Sequence, residues 1–186
     1  MNNSRVHERR FHGEPDRLRS PERLRLLEVE RVVALSVRDL TIKSILDVGT
    51  GTGIFAEKFS GLSMQVTGID VNTELLEIAR KHVPAGAFRE APAENLPFEG
   101  AAFDLVFLGH VLHETDNPLK ALEEAHRVAG KRVAVLEWPY REDEQVGPPI
   151  AHRLKPETIN DLANKAGFHK VERFQLAHMD FYRLTP

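Results

Sequence analysis

The stretch ILDVGTGTG, residues 45–53, alternates three glycines with Thr50 and Thr52, directly behind a short apolar run. Glycine is costly inside regular structure and is kept where the backbone turns sharply or approaches another group closely. The run SILDVG is an apolar strand, so the glycines form the loop at its end. A short helix through FAEKF follows. Strand, glycine loop and helix together open an α/β unit, and the shape of the loop decides what that unit can bind.

Strands and helices alternate downstream. MQVTGID is a second strand and TELLEIARKHV a second helix; AFREA is a short third strand. FDLVFLG is nearly all apolar, as in a central strand covered on both faces. PLKALEEAHRVAG is predicted as a helix stopped by Gly130, and KPETINDLANKAG as a helix stopped by Gly167. RVAVLEW between them is a fifth strand. HKVERFQLAH and DFYRLT form a closing antiparallel pair. The alternation predicts a parallel sheet layered with helices. Upstream, Ser20-Pro21 offers an N-cap with proline in the first turn. Leu26, Val29 and Val33 then lie at helical spacing, which predicts one amphipathic helix over residues 21–37. Residues 1–19 are polar and Arg-rich and are expected to be a mobile arm or flap before a single domain over 20–186.

Composition narrows the chemistry. With 186 residues, 41% hydrophobic and 28% charged, the chain can bury one substantial core. It has no cysteine, which excludes disulfides, thiolate nucleophiles, zinc–thiolate sites and cysteine-ligated iron–sulfur clusters. No apolar run is long enough for a bilayer and no signal-peptide core opens the chain, so no membrane insertion and a cytoplasmic location are expected. The net charge is −3, and residues 1–31 set eight arginines against six acids with Phe11 as their lone aromatic. No nucleic-acid partner is expected from such a balance.

Three glycine-loop chemistries can be compared. A phosphate-binding P-loop needs Lys-Ser/Thr after its last glycine, and here Ile54 and Phe55 stand there. The dinucleotide fingerprint G-x-G-x-x-G meets Ile54 when started at Gly49. Started at Gly51 it meets Ala56, but two residues too far from the strand. The pattern that fits is acid-x-G-x-G-x-G: Asp47, Gly49, Gly51, Gly53. It resembles the first motif of class I S-adenosylmethionine-dependent methyltransferases. Asp70 ends the second strand 19 residues beyond Gly51, near the spacing at which an acid meets a ribose; alone it would read as a solvated acid at a strand end. APAENLPFEGAAFDLVF, residues 91–107, resembles the family's segment before strand four. The resemblance spans about residues 20–186 and is closest to the small quinone-biosynthesis C-methyltransferase type.

That resemblance implies a Rossmann-like seven-stranded sheet of order 3-2-1-4-5-7-6 with a C-terminal antiparallel hairpin. It implies S-adenosylmethionine as cofactor and S-adenosylhomocysteine as product. The cofactor-binding set it implies is Asp47, Gly49, Thr50, Gly51, Gly53, Asp70, Val71, Ala93, Glu94, Gly109 and His110. Ala93 and Glu94 would lie against the adenine, with Glu94 taking the exocyclic amine. The lack of cysteine excludes radical use of this cofactor.

Methyl transfer needs an aligned nucleophile and exclusion of water, plus a base when the nucleophile arrives protonated. Candidates cluster at the carboxyl ends of strands four and five, where open α/β sheets bind ligands. LGHVLHETDN, residues 108–117, places His110, His113 and Glu114 there. His113 resembles a histidine that small family members carry near the transferred methyl. Two readings stay open: a neutral imidazole, of His113 or His110, accepts a proton or orients the acceptor, or His110 merely packs on the cofactor and His113 caps the next helix. The His-x-x-His-Glu spacing matches no zinc motif, and no metal is expected. In residues 137–157, Gly147-Pro148-Pro149 forces a turn. The segment is expected to be a lid, with His152 as a second base and Arg153 fixing an anionic or carbonyl group; otherwise it is a polar connection with Arg153 paired to an acid such as Glu157. No Asn/Asp-Pro-Pro-Tyr/Phe motif follows strand four and no cysteines could bind arsenic, leaving a small-molecule methyl acceptor. A nicotinamide-dependent oxidoreductase, or a non-catalytic cofactor-binding protein acting through a partner, are the alternatives. The acceptor, the methylated atom and the oligomeric state stay open.

Overall fold

A computed structural model describes residues 15–144 and 146–186. Most of the expected N-terminal arm, residues 1–14, lies outside them. The chain runs α1 (Pro15–Leu18), α2 (Pro21–Leu26), α3 (Val29–Val37), β1 (Ser44–Val48), α4 (Ile54–Gly61), β2 (Gln65–Asp70), α5 (Thr73–His82) and β3 (Ala87–Glu90). It continues with β4 (Phe103–Gly109), α6 (Pro118–Val128), β5 (Ala129–Glu137), a 3-10 turn (Ile150–His152), α7 (Pro156–Lys165), β6 (Lys170–Gln175) and β7 (Asp180–Thr185).

The seven strands form one sheet in the order β3-β2-β1-β4-β5-β7-β6. Strands β1 to β5 are parallel, and β7 is antiparallel to both β5 and β6. This is the expected Rossmann-like α/β order with its closing hairpin. Alternation along the strands builds two cores. Leu46, Val48, Val106, Leu108, Val133 and Val135 face α6 and α7. Ile45, Leu105, Phe107, Ala134 and Leu136 face α3 and α4. Each large side chain so removed from water contributes about 2 kcal/mol, and burial on both faces is why residues 105–108 of β4 and 133–136 of β5 are apolar without a break. Among the described residues no helix is long and apolar enough to cross a membrane.

Local signals held at several ends. The Ser20 hydroxyl accepts from the Arg23 backbone N–H at 3.3 Å, capping α2 ahead of Pro21. Gly167 follows α7 with φ +97°, and the Phe168 N–H reaches back to the Ala163 carbonyl at 3.1 Å. Two expectations are corrected. Gly130 does not stop α6: Ala129 already has extended backbone and pairs with Phe103, so the sheet captures the chain and Gly130 lies inside β5. The helix over 21–37 is broken, because Glu28 adopts φ +46° between α2 and α3. Leu27 and Val29 are both buried there, and the Glu28 carboxylate accepts the Ala177 N–H at 2.7 Å from the β6–β7 turn. That bond and the double burial outweigh helix continuity. As a result α2 lies along a cleft at the carboxyl ends of β1, β2, β4 and β5.

Candidate active site

The cleft measures about 1280 Å³, more than one drug-sized ligand needs. The glycine loop forms one wall. Gly49, Gly51 and Gly53 have φ of +65°, +53° and +79°, a left-handed region that costs other residues about 1–2 kcal/mol each. At Gly53 a Cβ would sit 3.1 Å from the Ala79 Cβ and 3.2 Å from its Cα, so that glycine lets the loop close on α5. At Gly51 a Cβ would meet only Leu18 Cδ1, at 3.9 Å, so that peptide borders the cleft.

Two acids brace the loop. Asp47 is 2% exposed, and its Oδ2 accepts the Thr50 hydroxyl at 2.7 Å. Burial pushes its pKa up to about 7, against hydrogen bonds from Thr50 and the Ala56 N–H. Asp70 Oδ2 accepts the Gly51 N–H at 2.8 Å and Oδ1 the Asn72 N–H at 2.8 Å. Both bonds hold the carboxylate at the strand end beside the glycine loop. Val71, Ala93, Glu94, Gly109 and His110 also line the cleft. Glu94 Oε1 accepts the Asp116 and Asn117 N–H groups at 2.9 and 3.4 Å, tying the segment before β4 to the turn after it. The Thr52 hydroxyl, buried in this wall, has no hydrogen-bond partner among the described residues. Closely approachable backbone and a strand-end carboxylate fit an adenosyl–amino-acid ligand.

The opposite wall is built at the ends of β4 and β5. His110 turns the chain with φ +61°, and its ring stacks on Trp138 at 4.8 Å and 19°. Its Nε2 lies 3.2 Å from Met179 Sδ, and burial, then Arg23 and His113, hold it neutral, well below the usual histidine range. His113 is 4% exposed, with Nδ1 at 2.7 Å from Oε2 of Glu137, itself 1% exposed. Burial opposes a charged imidazole here, but Glu137 and then Glu114 together outweigh it, so the His113 pKa is raised. His113 does not cap the next helix: Asn117 caps α6.

Arg153 and His152 are placed differently from expectation. The Arg153 guanidinium is buried and donates to five backbone carbonyls, those of Pro139, Arg141, Glu144, Val146 and Pro148, at 2.9–3.4 Å. All five of its N–H donors are used, so it holds the segment together and has none left for an acceptor. Its partner is not Glu157 either. His152 sits half-buried in the 3-10 turn and does not line the cleft. Trp138, Val146, Gly147 and Pro148 of the same segment do.

Sequence reasoning assigned no role to Glu137, Trp138 or Arg23. Glu137 had a signal: it is the acid ending the otherwise apolar run VAVLE. Trp138 follows it. Arg23 had none, because nothing local announces the break at Glu28.

Comparisons with known proteins bear on this site. A family described as "Methyltransferase domain" matches residues 46–134. The demethylmenaquinone methyltransferase of Chlorobaculum tepidum is 39% identical over 85 residues, covering 45% of this chain and 35% of that protein. A ubiquinone/menaquinone biosynthesis C-methyltransferase of Rhizobium etli is 37% identical over 173 residues, covering 76% of this chain and 67% of that protein. The chain thus spans between about a third and two thirds of the length of these curated relatives. Among solved structures, that of an Aquifex aeolicus S-adenosylmethionine-dependent methyltransferase superimposes with a TM-score of 0.77 at 25% identity, covering 92% of this chain and 98% of that one.

Proposed function

Because this chain belongs to the class I S-adenosylmethionine-dependent methyltransferases, we propose that it moves a methyl group to a small-molecule acceptor bound in the cleft beside His113. One observation carries the reading: the Asp70-braced glycine loop and His113, held by buried Glu137, line one cleft.

S-adenosylmethionine supplies, when bound, a methyl on a cationic sulfur, ready for in-line displacement. Asp70 would accept hydrogen bonds from its ribose, Ala93 and Glu94 would border its adenine, and Gly49, Gly51 and Gly109 would admit its amino-acid part. Glu137 fixes the imidazole of His113 by accepting from Nδ1–H, which leaves Nε2 as the basic nitrogen. His113 is then the group that takes a proton from an acceptor hydroxyl. Neutral His110 and Trp138 exclude water beside it. On this reading residues 20–186 are one catalytic domain, and Arg17 and Leu18 just before them border the cleft. The relatives named for quinone biosynthesis make hydroxylated rings the first acceptors to try.

Calorimetric titration tests the reading. S-adenosylhomocysteine should bind at micromolar concentrations and NADH should not. NADH binding with no heat from S-adenosylhomocysteine would replace this reading with an oxidoreductase.

A further inference from the structure

The proposed transfer leaves Arg23, a cation on the cleft wall, without a task. Arg23 lines the cleft from α2, which the break at Glu28 lays along it. Its guanidinium carbon is 5.9 Å from the centroid of the Trp138 ring. Among the described residues its side chain donates no hydrogen bond, and its Nε is buried without a partner. Arg153, by contrast, spends every donor on carbonyls, Arg127 bonds Glu124, and Arg173 bonds both oxygens of Asp180; Arg141 and Arg183 also keep a buried Nε without a hydrogen-bond partner among the described residues, but neither lines this cleft. Native structures leave few buried donors unmade, because each costs about 1–3 kcal/mol. Burial also makes the Arg23 charge harder to keep, and Glu114 only offsets this. A planar fork of donors held open at a cleft wall matches a carboxylate, which it can bind through two parallel hydrogen bonds.

Position indicates which carboxylate. The sheet order places β5 two strands from β1, or about 10 Å away. The glycine loop follows β1, whereas Trp138 follows β5 on the same side as His113 and Glu137. Resting on the methyltransferase reading above, we propose that Arg23 is the specificity determinant for the acceptor and that the acceptor is a small carboxylic acid. Its carboxylate pairs with Arg23 while its reacting group faces His113. Where that group is a hydroxyl, its O–H bond breaks and the proton passes to Nε2 of His113; the oxygen's electron pair forms the new bond to the methyl as the methyl–sulfur bond breaks, its pair leaving on the sulfur of S-adenosylhomocysteine.

The test titrates protein saturated with S-adenosylhomocysteine with matched acid and amide pairs: benzoate and benzamide, 4-hydroxybenzoate and 4-hydroxybenzamide, indole-3-acetate and its amide. At least one acid should bind about tenfold more tightly than its amide. Arg23→Gln should abolish that preference, Arg23→Lys should keep part of it, and both should bind S-adenosylhomocysteine as the wild type does, which also shows that they fold. No acid preference in the wild type, or one that persists in Arg23→Gln, overturns the inference alone. So does a loss of S-adenosylhomocysteine affinity in Arg23→Gln with binding of 5′-methylthioadenosine unchanged, which assigns Arg23 to the cofactor's own carboxylate. A wild type that ignores S-adenosylhomocysteine overturns the methyltransferase reading as well.

Discussion

Asp47 lies beneath the glycine loop, where lost hydration raises its pKa to about 7 from an ordinary 3.8. The folded state therefore holds this proton more tightly than the unfolded chain does. The associated stability is complete below about pH 4 and is lost as pH rises through 7. Asp47→Asn keeps an acceptor for the Thr50 hydroxyl and removes the ionisation. Its amide facing the Ala56 N–H adds a constant offset. Urea midpoints should shift in favour of the variant between pH 5 and pH 7.5; parallel curves would contradict this. His113 is also raised, from 6.5, because burial is outweighed by Glu137 and then Glu114 together. A proton acceptor must be neutral, so turnover should rise with pH through a limb above 6.5. Glu137→Gln should move that limb to lower pH and reduce turnover about 10²-fold, the scale of a misheld base. A limb that stays in place would separate Glu137 from the titration.

The segment from Trp138 to Arg153 shows how one side chain can organise an element without regular structure. Five carbonyls between Pro139 and Pro148 converge on the Arg153 guanidinium. Gly147, with φ +99°, packs where a Cβ would come within 2.6 Å of the Trp138 ring. Removing the guanidinium leaves the carbonyls it held without their donor, so Arg153→Ala should cost about 3 kcal/mol in chemical denaturation. It should also open the segment to limited proteolysis. Arg153→Lys should recover little, since an ammonium cannot span the five acceptors. Affinity for S-adenosylhomocysteine should barely change in either variant, because the glycine loop and Asp70 lie elsewhere on the cleft rim.

The whole molecule is one sheet with its ligand-binding rim at the carboxyl ends of the central strands, so cofactor binding should stabilise the entire fold. At a hundredfold excess over Kd, S-adenosylhomocysteine should add about 2.7 kcal/mol to global unfolding. Asp70→Ala should weaken binding by about 1–3 kcal/mol and so remove about 1–2.4 kcal/mol of that gain, as read from ligand-dependent melting. An equal gain in wild type and variant would exclude Asp70 from the site.

Much of this architecture is local in origin and was legible in the chain. Alternating apolar runs, the Ser20 cap, the Gly167 stop and the left-handed glycines after β1 each depend on a few neighbouring residues, and the strand and helix order follows from them. The acid at the end of β2 was legible as well, because strand length fixes its place on the rim. Other features depend on atoms that arrive from far along the chain. His113 meets Glu137 because β4 and β5 are adjacent. Gly130 is drawn into β5 by pairing with Phe103. Glu28 breaks a good helix because Ala177 offers it a donor and Leu27 and Val29 must both be buried. Arg153 turns from the cleft because five carbonyls converge on it, and Arg23 enters the cleft because α2 is redirected. Backbone preference acts over a turn or a strand, whereas a polar side chain takes the partner that the folded chain brings within 3 Å.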